Sequence, residues 1–426
     1  VTPLRPLSRR WAERGRAVQG DRLGIDRFRP AKIAKGFGGR TVPRERTALA
    51  IWFWEIDRVL LSLIVALIAI GLVAVAAASP VAAIDRSTDA VSVTPLIYFY
   101  RQLMWVAIGL PVMLVVSMLP RTQARRLALI AAVIFFVALM LVPVLGEVKN
   151  GAKRWIHLPG MRFQPSEFLK PAYVVSIAWL LSLRAKDKTL PVIPLSFGVT
   201  AMIALLLMRQ PDFGQTVVFC ACWAALLLLS GVAMRYIGLL CGAALGLFVL
   251  TYMFYENGRQ RINDFLGIGH DPMTGPDQAD LAHRTITNGG FTGVGPGGGQ
   301  AKFHLPEAHT DYIFSVIGEE FGLLACIAIA CVYLAIVVRV LLRLLDEEDS
   351  FTILAAAGLT TEFGLQAIIN MGVNAQIFPS KGMTLPFISY GGSSMLALCF
   401  GVGLLLAFTR RNPFMDRTPV VKWSGR

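Results

Sequence analysis

Long apolar runs, each about the length that crosses a bilayer, dominate the chain. Reading for such runs predicts spans at 58–79, 96–119, 127–146, 167–184, 190–208, 213–231, 234–255, 312–342, 351–377 and 385–409. The expected fold is therefore all-α, an integral membrane protein of about ten transmembrane helices. The connection 256–311, between the seventh and eighth spans, is far longer than most, and loops of that length are generally functional or disordered. Gly289, Gly290, Gly293, Gly295 and Gly297–Gly299 suggest that its middle is flexible. This run lacks a Gly-Lys-Ser/Thr ending and a strand–helix frame, so it does not read as a phosphate-binding loop.

Polar residues interrupt the apolar pattern at a few places. Glu362, Gln366, Asn370 and Asn374 recur every four residues and share one helical face. That face must point into the bundle, because a carboxylate at mid-bilayer costs roughly 2.5–3.5 kcal/mol. Hydrogen bonding between helices is the expected role of the amides. Glu167 and Lys170, three apart, are neighbours at the outer end of the fourth span, as a structural ion pair or a ligand site. Glu319 and Glu320 lie about two turns into the eighth span, as helix glue or as part of a cavity wall. Lys381 falls in the outer connection before the tenth span, where a cation can meet a lipid phosphate.

Composition excludes a set of soluble domains: of 426 residues, 55% are hydrophobic and 16% charged, with a mean hydropathy of +0.59. The net charge of +14 is concentrated at one end. Residues 1–47 hold thirteen Lys or Arg against four Asp or Glu and have too little apolar surface for a core. They are expected to form a disordered cytoplasmic tail lying on anionic lipid, in preference to a nucleic-acid arm. No cleavable signal peptide is expected, because the first apolar run is long enough to span. The tail, with Arg121, Arg125, Arg126, Arg410 and Arg411, sets both termini inside, with 48–413 as the membrane domain and 414–426 as a cytoplasmic C-terminal tail. Segment 147–166 then lies outside despite Lys149, Lys153, Arg154 and Arg162, which suggests an anionic ligand there, a solvated loop being the alternative. All six cysteines sit in apolar runs, so neither disulfide nor zinc site is expected. His304, His309 and Asp311 match no standard metal spacing.

Four segments carry a resemblance: LPEAHTDYIFSVIGEEFG at 305–322, SKGMTLPFISYGGSS at 380–394, QPDFG at 210–214 and KRWIHLPGMRFQPSEFLK at 153–170. Together, in order and across about 57–413, they resemble the SEDS family of membrane glycosyltransferases, in a form closer to its division branch than to its elongation branch. The resemblance implies polymerisation of lipid II into peptidoglycan strands in the bacterial inner membrane at the septum. It also implies lipid II and a lipid-linked glycan chain as substrates. An FtsI-like class B penicillin-binding protein and FtsQ-, FtsL- and FtsB-like divisome proteins would be partners, with no nucleic acid. By that resemblance Asp271, reached without a gap from Arg261, is the expected general base, with Asp264 and Asp277 as rivals. Residues 266–270, LGIGH, depart from the family pattern there. Arg154, Lys170 and Lys381 are implied as diphosphate ligands, and Glu167, His309 and Asp311 as groups that shape the site or hold a divalent cation. Magnesium or manganese could add leaving-group charge, but nothing in the sequence requires a cofactor. A lipid II transporter and a non-catalytic division scaffold are the competing readings.

Overall fold

The computed structural model describes residues 48–84, 94–149, 152–158, 161–185, 187–232, 278–379 and 382–411, with scattered positions between 238 and 263. A short helix α1 (Ala48–Glu55) precedes α2 (Arg58–Ile84), α3 (Ile97–Met118) and α4 (Arg121–Leu145). Three short strands follow, β1 (Glu147–Lys149), β2 (Ala152–Leu158) and β3 (Met161–Phe163), and then α5 (Pro165–Ser182), α6 (Val192–Arg209) and α7 (Phe213–Leu229). Beyond the seventh span come α8 (Gln278–Asn288), α9 (Ile313–Leu344), α10 (Ser350–Asn374) and α11 (Gly392–Thr409). Eight of these helices are long and apolar enough to cross a membrane, and α7 is a shorter apolar helix. Most of the expected span at 234–255 lies outside the described residues, although the described positions there are helical.

Burial orders the bundle. In α10 and α11 the most apolar window is 78% and 72% buried, against 22–28% for α3, α4, α6 and α9, so the first two are central and the others face outward. Small residues allow the close approaches. A side chain at Gly71 of α2 would collide with the Phe387 carbonyl, and one at Gly109 of α3 with the Cys399 sulfur of α11.

Three sequence expectations need correction. Residues 147–149, 152–158 and 161–163 form an antiparallel sheet in the order β1-β2-β3, too short for its alternation to stand out. Phe163 of β3 packs against Phe135 of α4 and Phe168 of α5, which fastens the sheet to the bundle. The last span starts at Gly392 rather than 385, because 382–391 is an ordered non-helical segment that enters the bundle and buries Leu385, Phe387 and Ile388. Its apolar composition answers to protein packing, and length alone read it as helix.

The third correction concerns the glycine run. Helix α9 is broken at Gly322, whose φ of 81° and ψ of 177° suit glycine alone. The break frees backbone groups that the glycine segment pairs: Val294 N–H donates to the Glu319 carbonyl (2.9 Å) and Gly295 N–H to that of Glu320 (3.0 Å). In return, Leu323 and Leu324 N–H donate to the carbonyls of Gly290 and Phe291. A Cβ on Gly289 or Gly293 would overlap the carbonyls of Gly318 or Glu320. Gly289 and Gly293 thus serve close backbone approach, and Gly290, Gly295 and Gly297 serve a positive φ, so the segment is shaped by its glycines and not merely loosened by them.

Candidate functional site

The polar face of α10 organises a set of buried side chains within the bundle. Lys170 on α5 sits 2.9 Å from Glu167 and donates to Gln366 Oε1 at 3.0 Å, and all three side chains are buried. Gln366 donates onward to the Thr384 carbonyl (3.0 Å). One turn further along α10, Asn370 Nδ2 donates to the carbonyls of Met383 (2.6 Å) and Asp311 (2.8 Å). Asn374 also donates to the Asp311 carbonyl (3.2 Å) and accepts from Ser315 N–H (3.1 Å). The amides therefore make the interhelical bonds expected of them, and they fix the two segments that follow α8 and α10 against each other.

Glu167, the one carboxylate of α5, also leads toward the sheet. Gln215 Nε2 donates to Glu167 Oε1 at 2.5 Å, so both Glu167 oxygens have protein partners. Asp212 caps α7 by accepting from Gln215 N–H and also accepts from Gln164 Nε2 (3.3 Å). Burial pushes the Asp212 carboxyl above its ordinary range, against the pull of the Arg154 guanidinium and the Gln215 N–H. Arg154 of β2 donates from Nε to the Gln210 carbonyl (3.2 Å) and also donates to that of Pro211. The bases of the sheet are thus partly committed: Arg154 clamps the 210–214 turn, and Arg162 lies 3.9 Å from exposed Glu147.

His309 forms a three-ring cluster with two tyrosines, its ring centroid 4.6 Å from that of Tyr98 and 5.6 Å from that of Tyr390, while the tyrosine centroids lie 5.1 Å apart. Its carbonyl accepts from Tyr390 N–H (2.9 Å), and Ser389 Oγ donates to the Thr310 carbonyl (2.6 Å). Asp311 stands beside Gly382, where a Cβ would come within 3.1 Å of its carboxylate. Glu319 and Glu320 are glue. The Glu319 carboxylate accepts from the N–H groups of Ala301 and Lys302, while Glu320 pairs with the buried Lys302 ammonium.

Glu167, Lys170 and the Asp311 carbonyl thus lie along one set of contacts through Gln215, Gln366, Asn370 and the 383–384 backbone. Arg154 adjoins it at the 210–212 turn, and His309 adjoins it through Tyr390. Gln215, Tyr98 and Tyr390 were not singled out in the sequence, since isolated polar and aromatic residues in apolar runs give no periodic signal. Asp271, Arg261, Lys381, Asp264 and Asp277 lie outside the described residues, as do 1–47 and 414–426. Among the described residues no cluster of three His, Cys, Asp or Glu could hold a metal ion.

A bundle of apolar helices that encloses a buried charged network is the architecture of a polytopic membrane protein. The chain belongs to the cell cycle protein family of FtsW, RodA and SpoVE, whose model matches residues 58–413. It is 37% identical over 375 residues to a probable peptidoglycan glycosyltransferase FtsW of Caulobacter vibrioides, covering 87% of this chain and 93% of the relative. It is 35% identical over 378 residues to one of Geobacter metallireducens, covering 85% and 96%. Among solved structures it resembles a chain from a study of how a peptidoglycan synthase complex coordinates polymerization and crosslinking. That match has a TM-score of 0.66 and 26% identity, over 83% of this chain and 97% of the other. It also resembles the rod shape determining protein RodA of Thermus thermophilus, with a TM-score of 0.60 and 25% identity, over 84% and 98%.

Proposed function

We propose that this chain is a peptidoglycan glycosyltransferase that polymerises lipid II into glycan strands for septal wall synthesis. The observation that carries the reading is the likeness, over most of both chains, to relatives named as peptidoglycan glycosyltransferase FtsW. In the proposed reaction the 4-hydroxyl of the acceptor GlcNAc attacks the anomeric carbon of the lipid-linked donor chain. The new C–O bond forms as the bond to diphosphate breaks, with inversion, and undecaprenyl diphosphate leaves. Asp271 takes the hydroxyl proton as general base. Arg154, whose Nη1 makes no hydrogen bond among the described residues, and Lys381 offer positive charge to the diphosphate. Buried Lys170 acts with them through the charge it holds beside Glu167. A divalent cation would add to this charge, and assay with and without a chelator tests that.

The proposed setting is the inner membrane, with the sheet and the loop after the seventh span outside and both termini in the cytoplasm. A class B penicillin-binding protein would cross-link the product, and the likeness to a chain of a peptidoglycan synthase complex supports such a partner. The test is purified protein given lipid II, with and without that partner. Wild type should yield glycan strands, and Asp271→Ala should yield none while keeping its expression and partner binding. Wild-type protein that carries lipid II across the bilayer and never forms glycan would instead favour a transporter. Near-normal activity of Asp271→Ala would remove the base assignment alone.

A further inference from the structure

Below the Glu167–Lys170 pair, toward the middle of the bundle, a small cavity opens between α5, α10 and α11. Its polar wall is Glu167, Lys170 and Glu362, and the rest is apolar, including Leu359, Phe363 and Leu405. Glu362 lies one helical turn from Gln366 on the same face of α10 and is 7% exposed. Unlike Glu167, its carboxylate makes no hydrogen bond and no close ion pair among the described residues. Lys170 is already spent on Glu167 and Gln366. The helices packed around the cavity offer no other charge: α11 contributes Ala397, Leu398, Gly401, Val402 and Leu405, and the ionisable group of α7 nearby is the thiol of Cys222. Two carboxylates therefore face one ammonium in a small pocket whose remaining wall is apolar, where an uncompensated charge is strongly disfavoured.

We propose that Glu362 is a proton-binding site: the carboxyl holds a proton in the resting protein and presents a neutral O–H to the cavity. Proton binding converts the carboxylate to the acid with no other bond change. While the proton is aboard, Lys170 stays with Glu167 and Gln366, and Gln366 keeps its hold on the Thr384 carbonyl. When it leaves, the ammonium has a second carboxylate to serve, one turn below Gln366, so the charge state of Glu362 is coupled to the anchoring of the 382–391 segment. Nothing in this inference rests on the glycosyltransferase reading, and its readout is independent of polymerisation.

Infrared difference spectroscopy on the full chain, in a detergent free of ester groups, tests it directly. Wild type minus Glu362→Gln at neutral pH should show the carbonyl band of a protonated carboxylic acid, and Glu362→Asp should move that band. Adding sodium chloride should leave it in place. If the difference shows only the paired bands of an ionised carboxylate, or if sodium abolishes the acid band, the proton site is overturned. Should the Gln variant fail to fold, comparison with the Asp variant carries the test: an unmoved or absent acid band refutes the assignment.

Discussion

At the scale of single residues, burial decides what a charge is for. Lys170 and Glu167 are enclosed together, so removing one leaves the other unpaired and desolvated. Lys170→Met is expected to cost about 3–5 kcal/mol of stability. In thermal unfolding in detergent, the Glu167→Gln/Lys170→Met double variant should recover most of that loss, and equal loss in both would deny the pair any coupling. Gly322 makes a different case, because the restriction there lies in the backbone. Its φ of 81° and ψ of 177° fall where side chains are strained, and a Cβ would lie 2.4 Å from both the Gly293 nitrogen and the Phe291 oxygen. Gly322→Ala should lower stability by at least about 1–3 kcal/mol, read as a falling melting temperature, whereas a change under half that would mean the glycine segment can move aside.

Elements are joined at their ends by charge. Asp57, just before α2, is buried and accepts from Arg339 (2.9 Å) and Arg343 (2.6 Å) near the end of α9. Arg121 at the start of α4 pairs with Glu347 (2.9 Å), and Arg410 after α11 pairs with Glu55 of α1 (3.2 Å). These contacts gather one end of the bundle, as the alternating course of the described spans requires. Burial alone would raise the Asp57 carboxyl, but the hydrogen bonds from Arg339 and Leu60 and the charge of Arg343 outweigh it and hold it below 3.8. A lowered folded value contributes stability above the unfolded value, and this is lost as pH falls through the folded one. Melting curves of wild type should therefore drop toward those of Asp57→Asn as pH is lowered below about 4, while a gap that persisted into strong acid would rule out this clasp as its source.

For the whole molecule, the testable statement is sidedness. A cysteine introduced at position 275, in a chain whose own cysteines have been replaced, should react with an impermeant thiol reagent added from outside intact cells. Labelling that appears only after lysis would reverse the proposed orientation. The helical class and most span positions were legible because a bilayer demands about twenty apolar residues per crossing, a signal carried by composition along the chain. The polar ladder on α10 was legible for the same reason, since Glu362, Gln366, Asn370 and Asn374 repeat at the helical period.

The sequence by itself determined that this is a multi-span helical membrane protein, which residues interrupt its apolar helices, and through its motifs which family it belongs to. Only the tertiary structure decided that 382–391 is a re-entering segment and not the head of a helix, and that β1, β2 and β3 form a small sheet. It also decided that the glycine run mends a broken helix, and that Arg154 clamps a turn while Glu362 is left facing a cavity. The division has a physical cause. Crossing a membrane is a property of a segment and its solvent, readable one stretch at a time. The partner of a buried carbonyl or carboxylate comes from hundreds of residues away or from the next turn alike, and only packing selects it.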